Sequence, residues 1–420
     1  MKNFLIKIGK IKSILERDGF WSGTKHISEK GWRLLKEIIN FSRGDIVFVS
    51  SGVGDSAVYR TKYVAEELRL YGLKARVVYF DDPFLFFKTK KAKIIILHKT
   101  TCSGKVKAFM QSKDRAKQTI IYDTDDLMFD AERFKKTDAY HNFNELQRKQ
   151  YEDGVGLKIL KSKQVKAIST TTTFLAEKLK QFGKPVYVVK NKLAKRELRW
   201  AREARKIYLS RVKRRENVRL GYFSGSVSHN RDFATIVPAL EIILKQHPRV
   251  RLYLVGYLDL NDKFYKKFQK QIIQLPFVPR KKHYQNIAQV DINLAPLEMN
   301  DFCQAKSELK FFEAGIIGIP TIAVRNKTFS EVIDERVDGL KESISCLNSK
   351  RSGLLAGNTN EWVQKLELLI NDKGMRKNIG ERARQVVLKK YLTSSGDNKK
   401  YYKFLEDIIE NNRPPTKSSS

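Results

Sequence analysis

The chain has 420 residues, and 82 Lys and Arg against 46 Asp and Glu give a formal net charge of +36. That length has room for two to three domains with large cores, while the charge attracts nucleic acid, anionic headgroups or phosphorylated substrates and leaves the fold open. Cys102, Cys303 and Cys346 are far apart, with no C-x-x-C spacing, which argues against a disulfide framework or zinc site and for a reducing cytoplasm. No apolar run approaches the roughly 18 residues needed to span a bilayer. The first residues, "MKNFLIKIGKIKSIL", are interrupted by lysines and make a poor secretory signal.

Residues 1–40 read as a basic, helical extension. Phe4, Leu5, Ile8, Ile11 and Leu15 lie at helical spacing with Lys2, Lys7, Lys10 and Lys12 between them. Two readings stand side by side: a helix packed on the protein, or one lying on an anionic membrane surface.

From residue 41 to 192, strand-like and helical segments alternate. "DIVFVS", "KARVVYF", "AKIIILHK", "QTIIYD", "VKAIST" and "KPVYVV" are apolar runs of strand length. "YRTKYVAEELRLYG" and "TTTFLAEKLKQFG" have helical periodicity and end at Gly72 and Gly183. Such alternation predicts a parallel sheet covered on both faces. Residues 193–217 are charge-dense and are expected to be a linker. The alternation restarts over 218–392 with "RLGYFSG", "DFATIVPALEIILKQHP", "VRLYLVG", "VDINLAPL", "TIAV" and two further helices. A last helix and a frayed tail occupy 393–420.

The stretch "AKSELKFFEAGIIGIP", residues 305–320, is expected to be a helix just past a buried strand. Lys306, Lys310 and Glu313 recur at i, i+4 and i+7. A helix beginning beyond a strand's carboxyl end offers free N–H groups to a phosphate. Lys306 and Lys310 would add positive charge and Ser307 a hydroxyl, while Glu313 suits two sugar hydroxyls; the alternative is a solvated face with chance charges.

Other stretches carry polar residues at predicted strand ends. "GYFSGSVSHNRDF" places Gly225, Ser226, His229 and Arg231 in a strand-to-helix loop. It reads as a phosphate site or as a plain turn. "YDTDDLMFD" carries Asp123, Asp125 and Asp126, which read as a D-x-D metal clamp, as cleft residues meeting an acceptor, or as loop caps. "SGVGDSAVYR" holds Gly52, Gly54, Ser56 and Arg60; it is a weak dinucleotide fingerprint, and its small residues better suit close approach of an acceptor. His98 ends a strand, either as a cleft base or as a strand-end polar residue.

"EAGIIGIP" resembles the E-A-x-x-x-G-x-P signature of GT-B glycosyltransferases, in particular the group 1, or family 4, enzymes. "YFSGSVSHNRDF", "LAPLEMNDFCQAKSELKFFEAG" and "IIYDTDDLMFD" resemble a polysaccharide-biosynthesis branch of that family, and the likeness runs from about Asp45 to Tyr391. The resemblance implies an α/β protein of the GT-B class, with two Rossmann-like, doubly wound domains facing a cleft, here with an N-terminal helical extension. By the same resemblance the second domain takes a nucleotide-sugar, with Glu313 on the ribose and Lys306 on the diphosphate. The first domain takes the acceptor, with His98, Asp125 and Asp126 as the catalytic candidates. The family pattern is often E-x7-E, and Ala305 stands at the first glutamate, so that contact to the donor sugar is absent or replaced.

The expected function is a retaining glycosyltransferase without metal or further cofactor. It would act on a glycan or lipid-linked acceptor in surface polysaccharide synthesis, in the cytoplasm and on the inner, anionic membrane face. Two other readings use the same features. The charge suits a polyanion-binding protein, although no RNA- or DNA-binding motif is present and no specific nucleic-acid partner is expected. A GT-B-fold sugar epimerase would share the donor site.

Overall fold

The computed structural model describes residues 44–50, 54–141, 145, 148, 151–152, 154–212, 217–225, 230–333 and 351–411. The proposed helical extension over residues 1–40, the tail over 413–420 and the candidates Gly52, Ser226 and His229 lie outside them.

The apolar runs form two six-stranded sheets. The first contains β1 (Ile46–Ser50), β2 (Ala75–Tyr79), β3 (Ile94–His98), β4 (Thr119–Asp123), β5 (Val165–Thr170) and β6 (Val186–Val188) in the order β2-β1-β3-β4-β5-β6. The second contains β7 (Arg219–Ser224), β8 (Arg251–Gly256), β9 (Ile272–Leu275), β10 (Ile292–Ala295), β11 (Thr321–Val324) and β12 (Leu354–Ala356) in the order β12-β11-β10-β7-β8-β9. The pairings within both sheets are parallel. β1 and β3 are buried along their whole length, as expected where helices cover both faces. Strand order reverses direction between β1 and β3 and between β7 and β10. In open α/β sheets a crevice forms outside the carboxyl ends at such points.

The short strands β9 and β12 are additional to those predicted from sequence. The charge-dense linker is also more than a plain connection. Lys195–Val212 is a helix, and Ala201, Ala204 and Tyr208 pack into the apolar core of the second domain.

The chain crosses between domains twice, and the crossings pair. Leu193 N donates to Tyr391 O at 2.7 Å, and Thr393 N donates to Leu193 O at 3.0 Å. After the second crossing, helix Lys399–Asn411 returns to the first sheet, where Tyr401, Tyr402, Leu405 and Ile409 pack with Ile46, Phe48 and Ile96.

The signature stretch is shorter and more broken than a single helix. Asp301–Gln304 makes one turn, and the main helix runs Leu309–Gly315. Lys306 and Ser307 therefore sit in the connection before it, and only Lys310 and Glu313 ride on it. Gly318 adopts a left-handed φ of +93°, and a β-carbon there would collide with the Arg205 guanidinium. That guanidinium donates to Ile317 O at 2.6 Å, so the linker helix fixes the turn leading into β11. The glycine of the signature is thus required chiefly by its positive φ, since the arginine tip it faces could move aside.

Candidate functional site

In the first domain, hydrogen-bond register aligns Ser50 with His98, His98 with Asp123, and Asp123 with Ser169. The result is a polar row across the carboxyl ends of β1, β3, β4 and β5. Behind it, a π-helical turn, Val58–Tyr63, directs Arg60 inward. Arg60 holds Asp123 with two bonds, Nε to Oδ1 at 3.1 Å and Nη2 to Oδ2 at 2.6 Å. His98 Nδ1 lies 3.0 Å from Asp123 Oδ1, and Ser169 Oγ donates to Oδ2 at 2.7 Å. Burial alone would raise the Asp123 carboxyl, but Arg60 and His98 hold it well below the usual carboxylate range. The other His98 nitrogen, Nε2, lies 3.2 Å from Ser56 Oγ. His98 is therefore oriented from both sides, with the serine between it and the rim.

Lys99, next along, has a left-handed φ of 42°, a strained conformation for a residue with a β-carbon. It aims Nζ at Asp126 Oδ2 (2.5 Å) and Asp125 Oδ1 (3.3 Å). Burial would lower this ammonium, yet the two carboxylates raise it above its ordinary value. The aspartates that suggested a metal clamp are thus matched by cations of the chain itself. Asp123 faces Arg60 and His98, and the other two face Lys99. Among the described residues no cluster of His, Cys, Asp or Glu is arranged to hold a metal ion.

In the second domain, Lys306 Nζ lies 2.9 Å from Asp232 Oδ2. Asp232 is buried and also accepts from the Glu298 amide at 2.9 Å. Lys310 donates to Phe223 O, at the end of β7, and lies 4.6 Å from the centre of the Tyr222 ring. Burial lowers its pKa to about 8. Gly225, just beyond β7, is exposed, with open space where a side chain would project.

Glu313 meets groups from both domains. Tyr59 of the first domain donates to its Oε1 at 2.9 Å. Arg280 Nη2 reaches the same oxygen at 3.0 Å, and His283 Nε2 lies 3.2 Å from Oε2. Burial would push this carboxyl up, but the His283 hydrogen bond, with the charges of His283 and Arg280, pulls it down to about 2. Arg280 also lies over the Tyr59 ring at 4.8 Å and pairs with Asp55 at 3.2 Å.

Not every sequence candidate joins these groups. Arg60 is fully buried behind the row, so it braces that row from within. Gly54 is exposed at the start of a helix, with a φ of +86°. Arg231 is exposed and bonds to Lys136 O of the first domain at 3.4 Å. Ala305 is wholly buried in the first domain's apolar cluster, and the neighbouring Phe302 ring lies 6.1 Å from Phe134. Where the resemblance has a glutamate, this chain makes an apolar contact between domains.

The structure adds Tyr59, Asp232, Arg280, His283, Asn191 and Glu308, which the sequence reading does not select. Asp232 lies within a stretch that drew attention for its other residues. Glu308 is buried and accepts from the Tyr391 hydroxyl at 2.6 Å. Asn191 joins the two halves: Arg60 Nη1 donates to its Oδ1 at 3.2 Å, and its Nδ2 donates to Ser307 Oγ at 3.0 Å. A continuous polar path thus runs from Asp123 through Arg60 and Asn191 to the signature stretch.

Residues 219–372 match the family model described as Glycosyl transferases group 1. No curated protein matches the sequence. Among solved structures, a glycosyltransferase from Rickettsia africae ESF-5 aligns with a TM-score of 0.59 and 13% identity, covering 88% of this chain and 100% of its own. Sucrose-phosphate synthase from Thermosynechococcus elongatus aligns with a TM-score of 0.57 and 11% identity, over 87% of this chain and 99% of its own. HepE from Anabaena, solved in complex with UDP, aligns with a TM-score of 0.55 and 13% identity, over 86% and 99%. These likenesses establish the shared two-domain fold.

Proposed function

From the premise that this chain has the GT-B fold and matches the group 1 glycosyl transferases over residues 219–372, we propose that it transfers a sugar from a nucleotide-sugar to a glycan acceptor, with retention at the anomeric carbon. The observation that carries this reading is the polar path across the cleft, Asp123–Arg60–Asn191–Ser307. It links the polar row of one sheet to the signature stretch of the other.

On this reading the second domain holds the donor. Lys306, Lys310 and the loop at Gly225 take the diphosphate, and Glu313 takes the ribose hydroxyls. Charge builds on the diphosphate as the glycosidic bond breaks, and fixed cations in a closed cleft stabilise it without reorganising. The acceptor lies along the first-domain row. His98, held by Asp123, would reach the acceptor hydroxyl through Ser56, and Lys99 pairs with Asp125 and Asp126 beside it. Closure of the domains excludes water and limits donor hydrolysis. With Lys306 and Lys310 supplying the positive charge, the reaction needs no divalent ion.

HepE has been solved with UDP and with UDP-glucose, so a donor panel begins with UDP-sugars. Thermal shift and mass spectrometry of released products provide the test. A donor that raises the melting temperature and yields nucleoside diphosphate with a glycosylated acceptor supports the proposal. Free sugar as the sole product, or absence of stabilisation by every donor, overturns it. Loss of turnover in EDTA with recovery on adding manganese overturns the metal-free assignment.

A further inference from the structure

Arg280 opens the helix Arg280–Ile287, with Pro279 before it. His283 follows at i+3, so both side chains leave the same face of the helix. Together they hold one carboxylate from two sides. Arg280 Nη2 donates to Glu313 Oε1 at 3.0 Å, and His283 Nε2 lies 3.2 Å from Oε2. The Phe223 ring meets the His283 ring edge-on at 5.6 Å and braces it.

The rest of the guanidinium is anchored elsewhere. Its Nε donates to Glu197, which is fully buried near the start of helix Lys195–Val212. Its Nη1 donates to Asp55 of the first domain at 3.2 Å, and Nη2 also donates to the Tyr59 hydroxyl. One planar, permanently charged group thus meets both domains and the helix that follows the first crossing. A lysine offers a single ammonium and cannot reproduce that fork.

Charge makes the arrangement more than packing. Glu313 faces Arg280 and His283 from one helix and Tyr59 from the first domain, and it feels the charges of Glu197 and Lys310. Three carboxylates, Glu197, Glu313 and Asp55, share the one arginine. Burial alone would push the Glu313 carboxyl up, and His283 and Arg280 bring it down. Without the arginine, the Glu197 and Glu313 charges would oppose each other, and the Glu313 carboxyl would rise. An ionised carboxylate accepts from both ribose hydroxyls, whereas protonation turns one of its oxygens into a donor.

Resting on Glu313 as the ribose carboxylate, we propose that Arg280 is a positioning residue for the donor: anchored on Glu197 and Asp55, it fixes the orientation and the negative charge of Glu313, so that both domains build the ribose site. Arg280 acts through Glu313 and not on the diphosphate, where Lys306 and Lys310 stand. Asp55 and Tyr59 thereby give the first domain a part in donor affinity.

The test has two arms, both on the full chain. Without donor, carbon-13 NMR follows the glutamate side-chain carboxyls, and the Glu313 resonance is identified by its loss in Glu313→Gln. In Arg280→Met its titration midpoint should rise by about one pH unit or more. Arg280→Met leaves Glu197 buried without its cation, so the measurement is repeated with Glu197→Gln added, which removes that charge and guards the fold. In the second arm, calorimetry with UDP-glucose should show binding about tenfold weaker in Arg280→Met, with Arg280→Lys between that variant and wild type. The loss should fall on KM more than on kcat, and adding Glu313→Gln to Arg280→Met should cost little further affinity. An unmoved Glu313 midpoint overturns the proposal whatever the donor. Losses that add fully in the double variant overturn it too, because the arginine would then act independently of the carboxylate. A raised midpoint with UDP-glucose affinity unchanged upholds the hold on Glu313 and removes that carboxylate from the donor site, which is the failure of the donor reading itself.

Discussion

The Tyr59 hydroxyl of the first domain donates to Glu313 of the second at 2.9 Å and also accepts from Arg280. The carboxylate proposed to hold the donor's ribose thus also bonds to the first domain. Closure and donor binding share one group.

Tyr59→Phe should leave the fold intact, because its ring packs on Tyr63 at 5.2 Å and Phe312 at 6.1 Å without the hydroxyl. Removing the hydroxyl should cost about 1–2 kcal/mol of the contact between domains. Small-angle scattering of the donor-free protein should then show a larger radius of gyration. An unchanged profile would show that this bond does not hold the domains together.

Glu313→Gln should weaken donor binding about tenfold, since an amide keeps the volume but loses charge-assisted bonds. The same substitution has a signature in acid. The Glu313 pKa is lowered to about 2, against about 4.3 in an unfolded chain. Its contribution to stability is therefore complete above the unfolded value and is lost as pH falls toward the folded one. Urea titrations between pH 5 and pH 2 should show a steeper loss for wild type than for the variant. Parallel curves would remove the carboxylate from the stability of the closed form, and unchanged calorimetric affinity would remove it from the donor site.

Much of this architecture is legible in the sequence because it rests on local patterns. "IIILH" and "TIIYD" are buried runs of strand length, and each forms a strand, Ile94–His98 and Thr119–Asp123. The polar ends of those runs fall on the row beside the cleft. What escapes the sequence reading depends on contacts between residues far apart in the chain. Tyr59 and Glu313 are separated by 254 positions, and no spacing rule brings them together. The linker helix was hidden by its charge. Its buried residues are Glu197, Ala201, Ala204 and Tyr208, a mixture that gives little apolar periodicity. The lysines illustrate the same limit: Lys306 and Lys310 look alike in sequence, but Asp232 pairs with the first and raises its pKa while burial depresses that of the second.

Lys306→Ala should reduce turnover more than Glu313→Gln, because charge grows on the diphosphate in the transition state. It should also destabilise the second domain, since Asp232 would remain buried with its main cation removed. The expected loss is about 3–5 kcal/mol. Combining it with Asp232→Asn should restore much of the stability without restoring turnover. Turnover equal to wild type in the single variant would take Lys306 out of the chemistry.

The last prediction concerns the paired crossings. Glu67 is buried and binds Lys192 on the first crossing. It also accepts from Asn398 at 3.1 Å and from the Tyr402 hydroxyl, both beyond the second crossing. Burial pushes its pKa up, and Lys192 pulls it partway back. The adjacent Glu66 accepts from the Lys195 amide and the Thr393 hydroxyl, each at 2.9 Å. One helix of the first domain thus grips both crossings. Glu67→Ala would strand a buried ammonium and leave Asn398 and Tyr402 unmatched, a loss of about 3–5 kcal/mol. The cost should fall on one side of the molecule. Hydrogen exchange should accelerate in helix Lys399–Asn411, which packs on the first sheet, while β7, β10 and β11 keep their protection. Glu66→Ala, at a half-buried position, should show the same pattern more weakly. Uniform acceleration through both domains would show that Glu67 supports the global fold, and unchanged exchange in the last helix would show that the grip does not hold it.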